Sequence, residues 1–140
     1  MGKIKGLLDI LINLFTRQNE RHNRALSDIM DLSGAIEEFM AKYGLQESGS
    51  DFGVIFENIG QAKFDVTTIT YQSRIRIKIA KDIRDKDLPP LLKEVHNDLE
   101  EVKKGIFNPK LGSVTLDKSV FKLHKSFEKL RDAISGIEYK

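Results

Sequence analysis

The sequence contains no cysteine. This absence excludes disulfide bonds, thiolate nucleophiles and thiolate-bound metals, and it is typical of proteins that work in a reducing compartment. We therefore expect a cytoplasmic protein that folds without covalent cross-links.

The sequence also lacks a large excess of charge of either sign. It has 23 basic and 21 acidic residues, which gives a formal net charge of +2. No overall field therefore steers the molecule toward nucleic acid or a membrane, and a partner of either kind would need a local patch of charge.

Recognisable catalytic motifs are missing as well. There is no Walker phosphate loop, no Gly-x-Ser-x-Gly elbow and no dinucleotide-binding fingerprint. None of the histidines, His22, His96 and His124, has the glutamate three residues before it that a helical di-iron site requires. His96 and His124 each precede a glutamate by one helical turn, which fits surface hydrogen bonding or salt pairing better than metal binding. We predict a protein that is not an enzyme and that needs no cofactor or metal.

The composition is that of one folded domain. Of the 140 residues, 40% are apolar and 31% are charged, which suits charged helix surfaces around an aliphatic core. A chain of this length can bury such a core without metals or cross-links. We predict a single domain over residues 1–140.

Apolar residues recur in alternating steps of three and four, the pattern of helices that each carry one apolar stripe, or seam. The four seams span residues 4–43, 52–83, 88–106 and 116–137. The first seam is polar only at Gln18 and His22, inside the stretch 16–24, which has no apolar residue. A hinge near residues 16–24 is therefore an alternative to one continuous first helix.

Short turns join the four seams. Gly44, the pair Pro89 and Pro90, and the loop 108–112 are typical ends and starts of helices. Short connections favour antiparallel neighbours. We predict an all-α fold, an antiparallel four-helix bundle with long first and second helices. A strand over residues 66–79, where Thr and Ile are dense, is the alternative; helix is favoured because the heptad series resumes in phase beyond it.

The shorter third and fourth helices cannot cover the first two along their full length. The N-terminal segment 1–15 is the part of the first helix that we expect to extend beyond them. Eight of the twelve residues 4–15 are apolar, but Asp9 and Asn13 interrupt the run, and it is too short to cross a bilayer.

Three interpretations of this segment follow. It packs on its own bundle, either as a fifth element or as the end of a long first helix; it associates with other copies or a partner helix; or it lies on a membrane surface, aided by Lys3, Lys5, Arg17, Arg21 and Arg24. Association is the leading hypothesis. The candidate interaction residues are Leu7, Leu8, Leu11, Ile12, Leu14 and Phe15.

A basic stretch gives a further alternative. Six of the thirteen residues 74–86 are basic, and Arg74, Arg76, Lys78 and Lys81 are candidates to bind phosphate groups of nucleic acid or lipid. Asp82 and Asp85 dilute this charge, and no aromatic side chains interleave with it for base stacking. A phosphate-backbone-binding structural protein, such as a nucleoid or virion coat protein, is therefore the third functional hypothesis.

Overall fold

The structure, a computed structural model, describes the backbone of residues 2–140 and the side chains of residues 6–140. The side chains of Lys3, of the predicted seam residue Ile4 and of Lys5 lie outside the described part. The helices are α1 (Gly2–Lys42), α2 (Gly53–Glu57), α3 (Ile59–Ile79), α4 (Leu88–Phe107) and α5 (Ser113–Ser135). Short 3-10 turns follow α3 at Ala80–Asp82 and precede α5 at Pro109–Leu111.

Residues 2–140 are all-helical apart from their turns and loops, so the all-α prediction is confirmed and the strand alternative over residues 66–79 is wrong. The local alternation of polar and apolar residues there is overridden by packing. Val66, Thr70 and Ser73 recur at helical spacing, and all three are buried.

The first helix is continuous, so the alternative of a hinge near residues 16–24 is wrong. The stretch contains neither glycine nor proline, and polar residues such as Arg, Gln and Glu are good helix formers. The chain turns away just beyond the end of α1 at Gly44, whose left-handed φ of +61° suits glycine. The N–H of Leu45 then donates to the carbonyl of Met40 at 2.8 Å and closes the last turn.

The prediction of one long second helix is wrong, because the helix is broken at Asn58. Its backbone, with φ −124° and ψ 40°, lies outside the helical region. Its side-chain amide donates to the carbonyl of Val54 at 3.0 Å. Asparagine side chains compete in this way with backbone hydrogen bonds, which favours helix ends. The result is the five-residue α2 followed by α3, which has 21 residues.

The long helices pack in a continuous order: α1 contacts α3, α3 contacts α4, α4 contacts α5, and α5 also contacts α1. Ion pairs show that neighbouring helices are antiparallel. Lys42 near the end of α1 meets Asp65 near the start of α3, and Glu94 early in α4 meets Lys129 late in α5. Every position of the predicted third seam is buried, and so is every position of the first seam from Ala25 onward.

Candidate association surface

The first half of α1 projects beyond the other helices. Every described side chain from Gly6 to Arg21 is exposed, and His22 is the first buried residue of the helix. We call residues 2–21 the overhang and residues 22–42 the covered half. At about 1.5 Å per residue, the overhang is roughly 30 Å long.

All six predicted interaction residues lie on the overhang, and each is about half exposed or more. The exposed fractions are 60% for Leu7, 54% for Leu8, 50% for Leu11, 61% for Ile12, 49% for Leu14 and 64% for Phe15. Ile10, which was not among the candidates, is equally exposed at 57%. The interpretation that this segment packs on its own bundle is therefore wrong. The helices α3 and α5 end at Ile79 and Ser135, too early to run beside it.

The apolar side chains of the overhang form one wide face. Successive residues on a helix are rotated by about 100° around its axis. Seen down this axis, Ile10 and Ile12 mark the two edges of the apolar face, which covers an arc of roughly 200°. Its centre has the same direction as Ile29 and Ile36, which are fully buried in the covered half. The overhang thus continues the core-facing side of α1 past the end of the core.

A polar junction separates the two halves. His22 is buried, and its Nε2 lies 2.8 Å from the backbone oxygen of Glu138. The Asn23 amide donates to the backbone oxygen of Lys140 at 2.9 Å, and the Lys140 N–H donates back at 2.7 Å. The polar position His22 in the first seam therefore attaches the C-terminal segment to α1.

A polar cluster at the other end of the covered half was not predicted. Asp65 accepts hydrogen bonds from the Tyr43 hydroxyl at 2.6 Å, the Lys42 ammonium at 2.9 Å and the Gln61 amide at 2.8 Å. Burial alone would raise the pKa of Asp65, but these hydrogen bonds outweigh it and hold the pKa below its usual value. Burial, together with the bond to Asp65, raises the pKa of Tyr43. This cluster could not be predicted from residue spacing, because its members come from two different helices.

The predicted phosphate-binding residues do not share one face. Arg74, Lys78 and Lys81 are exposed at spacings that place them on one side of α3 and its final turn. Arg76 lies on the opposite side and is half-buried, and its Nε is buried without a hydrogen-bond partner. The structure therefore brings together three of the four.

Two histidines serve as hydrogen-bonding groups. His96 Nδ1 lies 2.6 Å from the Ser73 hydroxyl, and its Nε2 lies 3.7 Å from a carboxylate oxygen of Glu100. His124 Nε2 lies 2.8 Å from the Leu45 backbone oxygen, so its partner is the main chain rather than Glu128. In the described part of the chain, no three His, Asp or Glu side chains are grouped as metal ligands would be.

Among the described residues, no helix combines the length and the apolar character needed to cross a bilayer. Comparison with known proteins gives no match to a protein-family model, to a curated protein or to a solved structure.

Proposed function

We propose that this protein is a non-enzymatic assembly module, in which an antiparallel bundle of α1, α3, α4 and α5 presents the overhang for association with further copies of the chain. The observation that carries the proposal is the apolar face of the overhang. It consists of seven large apolar side chains within nine residues, each about half exposed or more. Exposed apolar surface of this continuity is typical of interaction sites.

The free energy available from covering this face is substantial. Complete burial of a Leu, Ile or Phe side chain is worth roughly 1.5–3 kcal/mol, so the exposed half of seven side chains leaves about 5–10 kcal/mol per copy. Association costs about 4–15 kcal/mol in lost freedom of motion. The gain and the cost are of similar size, so assembly requires that most of this face be covered in every copy.

The width of the apolar face favours further copies as the occupant. A two-stranded coiled coil buries only a narrow stripe of each helix, whereas an arc of roughly 200° requires at least two neighbouring helices. Beside the covered half, α3 and α5 are those neighbours. Overhangs from other copies have the matching length and apolar arc to take the same places beside the overhang. We therefore expect a trimer or a larger closed assembly rather than a dimer.

The test is light scattering coupled to size exclusion on the full chain and on a variant with Leu7, Leu8 and Leu11 changed to Gln. Glutamine keeps the helix propensity and removes the apolar surface. We expect the unmodified chain to form oligomers at tens of micromolar and the variant to be a folded monomer, with unchanged far-UV circular dichroism.

A matched control changes Phe64, Tyr71 and Val114 to Gln. These side chains are at least as exposed, at 66%, 60% and 70%, but lie away from the overhang. This control should assemble like the unmodified chain. A full chain that stays monomeric throughout the concentration range, or a control that loses assembly equally, would contradict the proposal.

Peripheral membrane binding is the second candidate function, and the position of the basic side chains favours it. Arg17 and Arg21 are exposed two and six residues after the apolar residue Phe15, where they could contact anionic headgroups while the apolar face enters the interface. Sedimentation with vesicles containing anionic lipid tests this role. The Leu7, Leu8 and Leu11 variant should sediment far less than the unmodified chain if the overhang inserts, and equal sedimentation would contradict it.

A further inference from the structure

A polar cavity of about 300 Å³ lies where the overhang meets the bundle. One wall is formed by α1 between Phe15 and His22, and the opposite wall by the segment 81–84 after α3. Lys140, held against α1 by its two hydrogen bonds with Asn23, completes the lining. Three separate parts of the chain therefore build this cavity.

The cavity concentrates positive charge. Four basic side chains line it, those of Arg21, Lys81, Arg84 and Lys140, against one acidic side chain, that of Asp82. Within residues 6–140, no ion pair of 4 Å or less involves any of these four basic side chains. The guanidinium of Arg84 has one long hydrogen bond, 3.4 Å, to the Gln18 side chain. These cations thus keep most of their hydrogen-bonding capacity for a ligand.

The histidine in the wall has unused capacity of its own. His22 Nε2 must donate its hydrogen to the Glu138 backbone oxygen, because that oxygen can only accept. Its Nδ1 is buried and has no hydrogen-bond partner among the described residues. With its hydrogen on Nε2, the ring can only accept a hydrogen bond at Nδ1, so this nitrogen is available to a water molecule or to the O–H group of a singly protonated phosphate.

These features fit an oxyanion with more than one negative charge. Two arginine side chains offer planar pairs of N–H donors that match the oxygens of a tetrahedral anion, and two lysines add compact positive charges. A volume of about 300 Å³ is at the lower end of small-ligand sites, which leaves room for a phosphate and a small group attached to it.

We propose that this cavity binds a phosphate group, held by Arg21, Lys81, Arg84 and Lys140. Phe15 lines the same cavity and also belongs to the apolar face of the overhang, so the phosphate site borders an apolar surface. The phosphate can therefore come from a soluble phosphate compound or from the headgroup of an anionic phospholipid.

Nuclear magnetic resonance on the ¹⁵N-labelled full chain tests the site, with inorganic phosphate and then pyrophosphate added at constant ionic strength. We expect saturable shifts at the amides of Arg21, His22 and residues 81–84, with dissociation constants in the millimolar range or below. A double variant, Lys81→Gln with Arg84→Gln, should bind at least tenfold more weakly.

The control is Lys110→Gln with Lys118→Gln, which removes the same charge from exposed positions at the opposite end of the bundle. This control should bind phosphate like the unmodified chain, and unchanged unfolding midpoints show that both variants fold. Shifts that never saturate, or equal weakening in both double variants, would show that only diffuse electrostatic attraction is present and would overturn the proposal.

Flotation with phosphatidylcholine vesicles, with and without phosphatidic acid, identifies the source of the phosphate. Loss of binding to acidic vesicles in the Lys81 and Arg84 variant, but not in the control, assigns the site to a lipid headgroup. Phosphate binding that depends on these residues, without any such difference on vesicles, assigns it to a soluble compound.

Assembly is a separate property. The Leu7, Leu8 and Leu11 variant keeps all four basic residues and should keep phosphate binding even when it no longer forms oligomers.

Discussion

The two halves of α1 share one helix and one apolar face, yet only one half is covered. Ile29 and Ile36 in the covered half are fully buried, whereas Leu11 and Phe15 in the overhang are 50% and 64% exposed. The difference arises from the lengths of the neighbouring helices, since α3 and α5 end before they reach the overhang. A seam therefore predicts which face of a helix is apolar and must be buried. It does not predict whether helices of the same chain bury that face.

The largest contrast should appear when matched side chains are truncated in the two halves. Ile29→Ala removes a fully buried side chain and should lower the free energy of unfolding by about 2–5 kcal/mol, because it leaves a cavity in the core. Leu11→Ala should change it by no more than about 0.5 kcal/mol in dilute, monomeric protein. Urea denaturation measures both values. A large effect of Leu11→Ala in the monomer would mean that the overhang packs on its own bundle.

A smaller effect is expected at the polar cluster that joins the covered half to α3. Asp65→Asn weakens the charged hydrogen bonds from Lys42 and Tyr43 and should cost about 1–3 kcal/mol at neutral pH. The Lys42 ammonium is half exposed, so solvent screening reduces its share.

The pH dependence of this effect has a defined sign. The folded-state pKa of Asp65 is lowered, so its contribution is fully present above the unfolded-state pKa of about 3.9 and is lost as the pH falls through the folded-state value. The difference between the unmodified chain and Asp65→Asn should therefore shrink in acid. Asp31→Asn, at an exposed carboxylate without an ion pair within residues 6–140, serves as the control and should show little difference at any pH.

The smallest expected effect compares one glycine from each half. A Cβ added at Gly34 or at Gly6 meets no atom within 4 Å, so neither substitution by alanine causes a clash. Gly34→Ala should stabilise the fold by about 0.5–1 kcal/mol through helix propensity. Gly6→Ala should increase helicity without moving the urea midpoint, because the described side chains of the overhang are exposed and do not pack in the core. An equal gain at both sites would show that α1 unfolds as one cooperative unit.

The sequence predicted what depends on local periodicity. The third seam, from Leu88 to Ile106, is buried at every position, and the fourth is buried from Leu116 to Ile134. The last predicted position of the fourth seam, Ile137, lies beyond the end of α5 and is half-buried. The other positions are predicted correctly because helical spacing alone determines which side chains share a face. The six candidate interaction residues were likewise identified by their apolar character, although their role in association is still a prediction.

Other features depend on how distant segments meet. The break at Asn58 rests on a side-chain hydrogen bond that competes with the helix, and seam periodicity is insensitive to it. The cluster around Asp65 requires the register of α1 against α3, and the basic cavity requires Arg21, Arg84 and Lys140 to converge from three parts of the chain.

Sequence periodicity by itself determined the helices and the faces on which they carry apolar residues, because these depend on neighbours three and four positions away. Only the tertiary structure decided which of those faces are covered, because cover depends on where the other helices end. That is why a single unbroken helix is core along one half and exposed surface along the other.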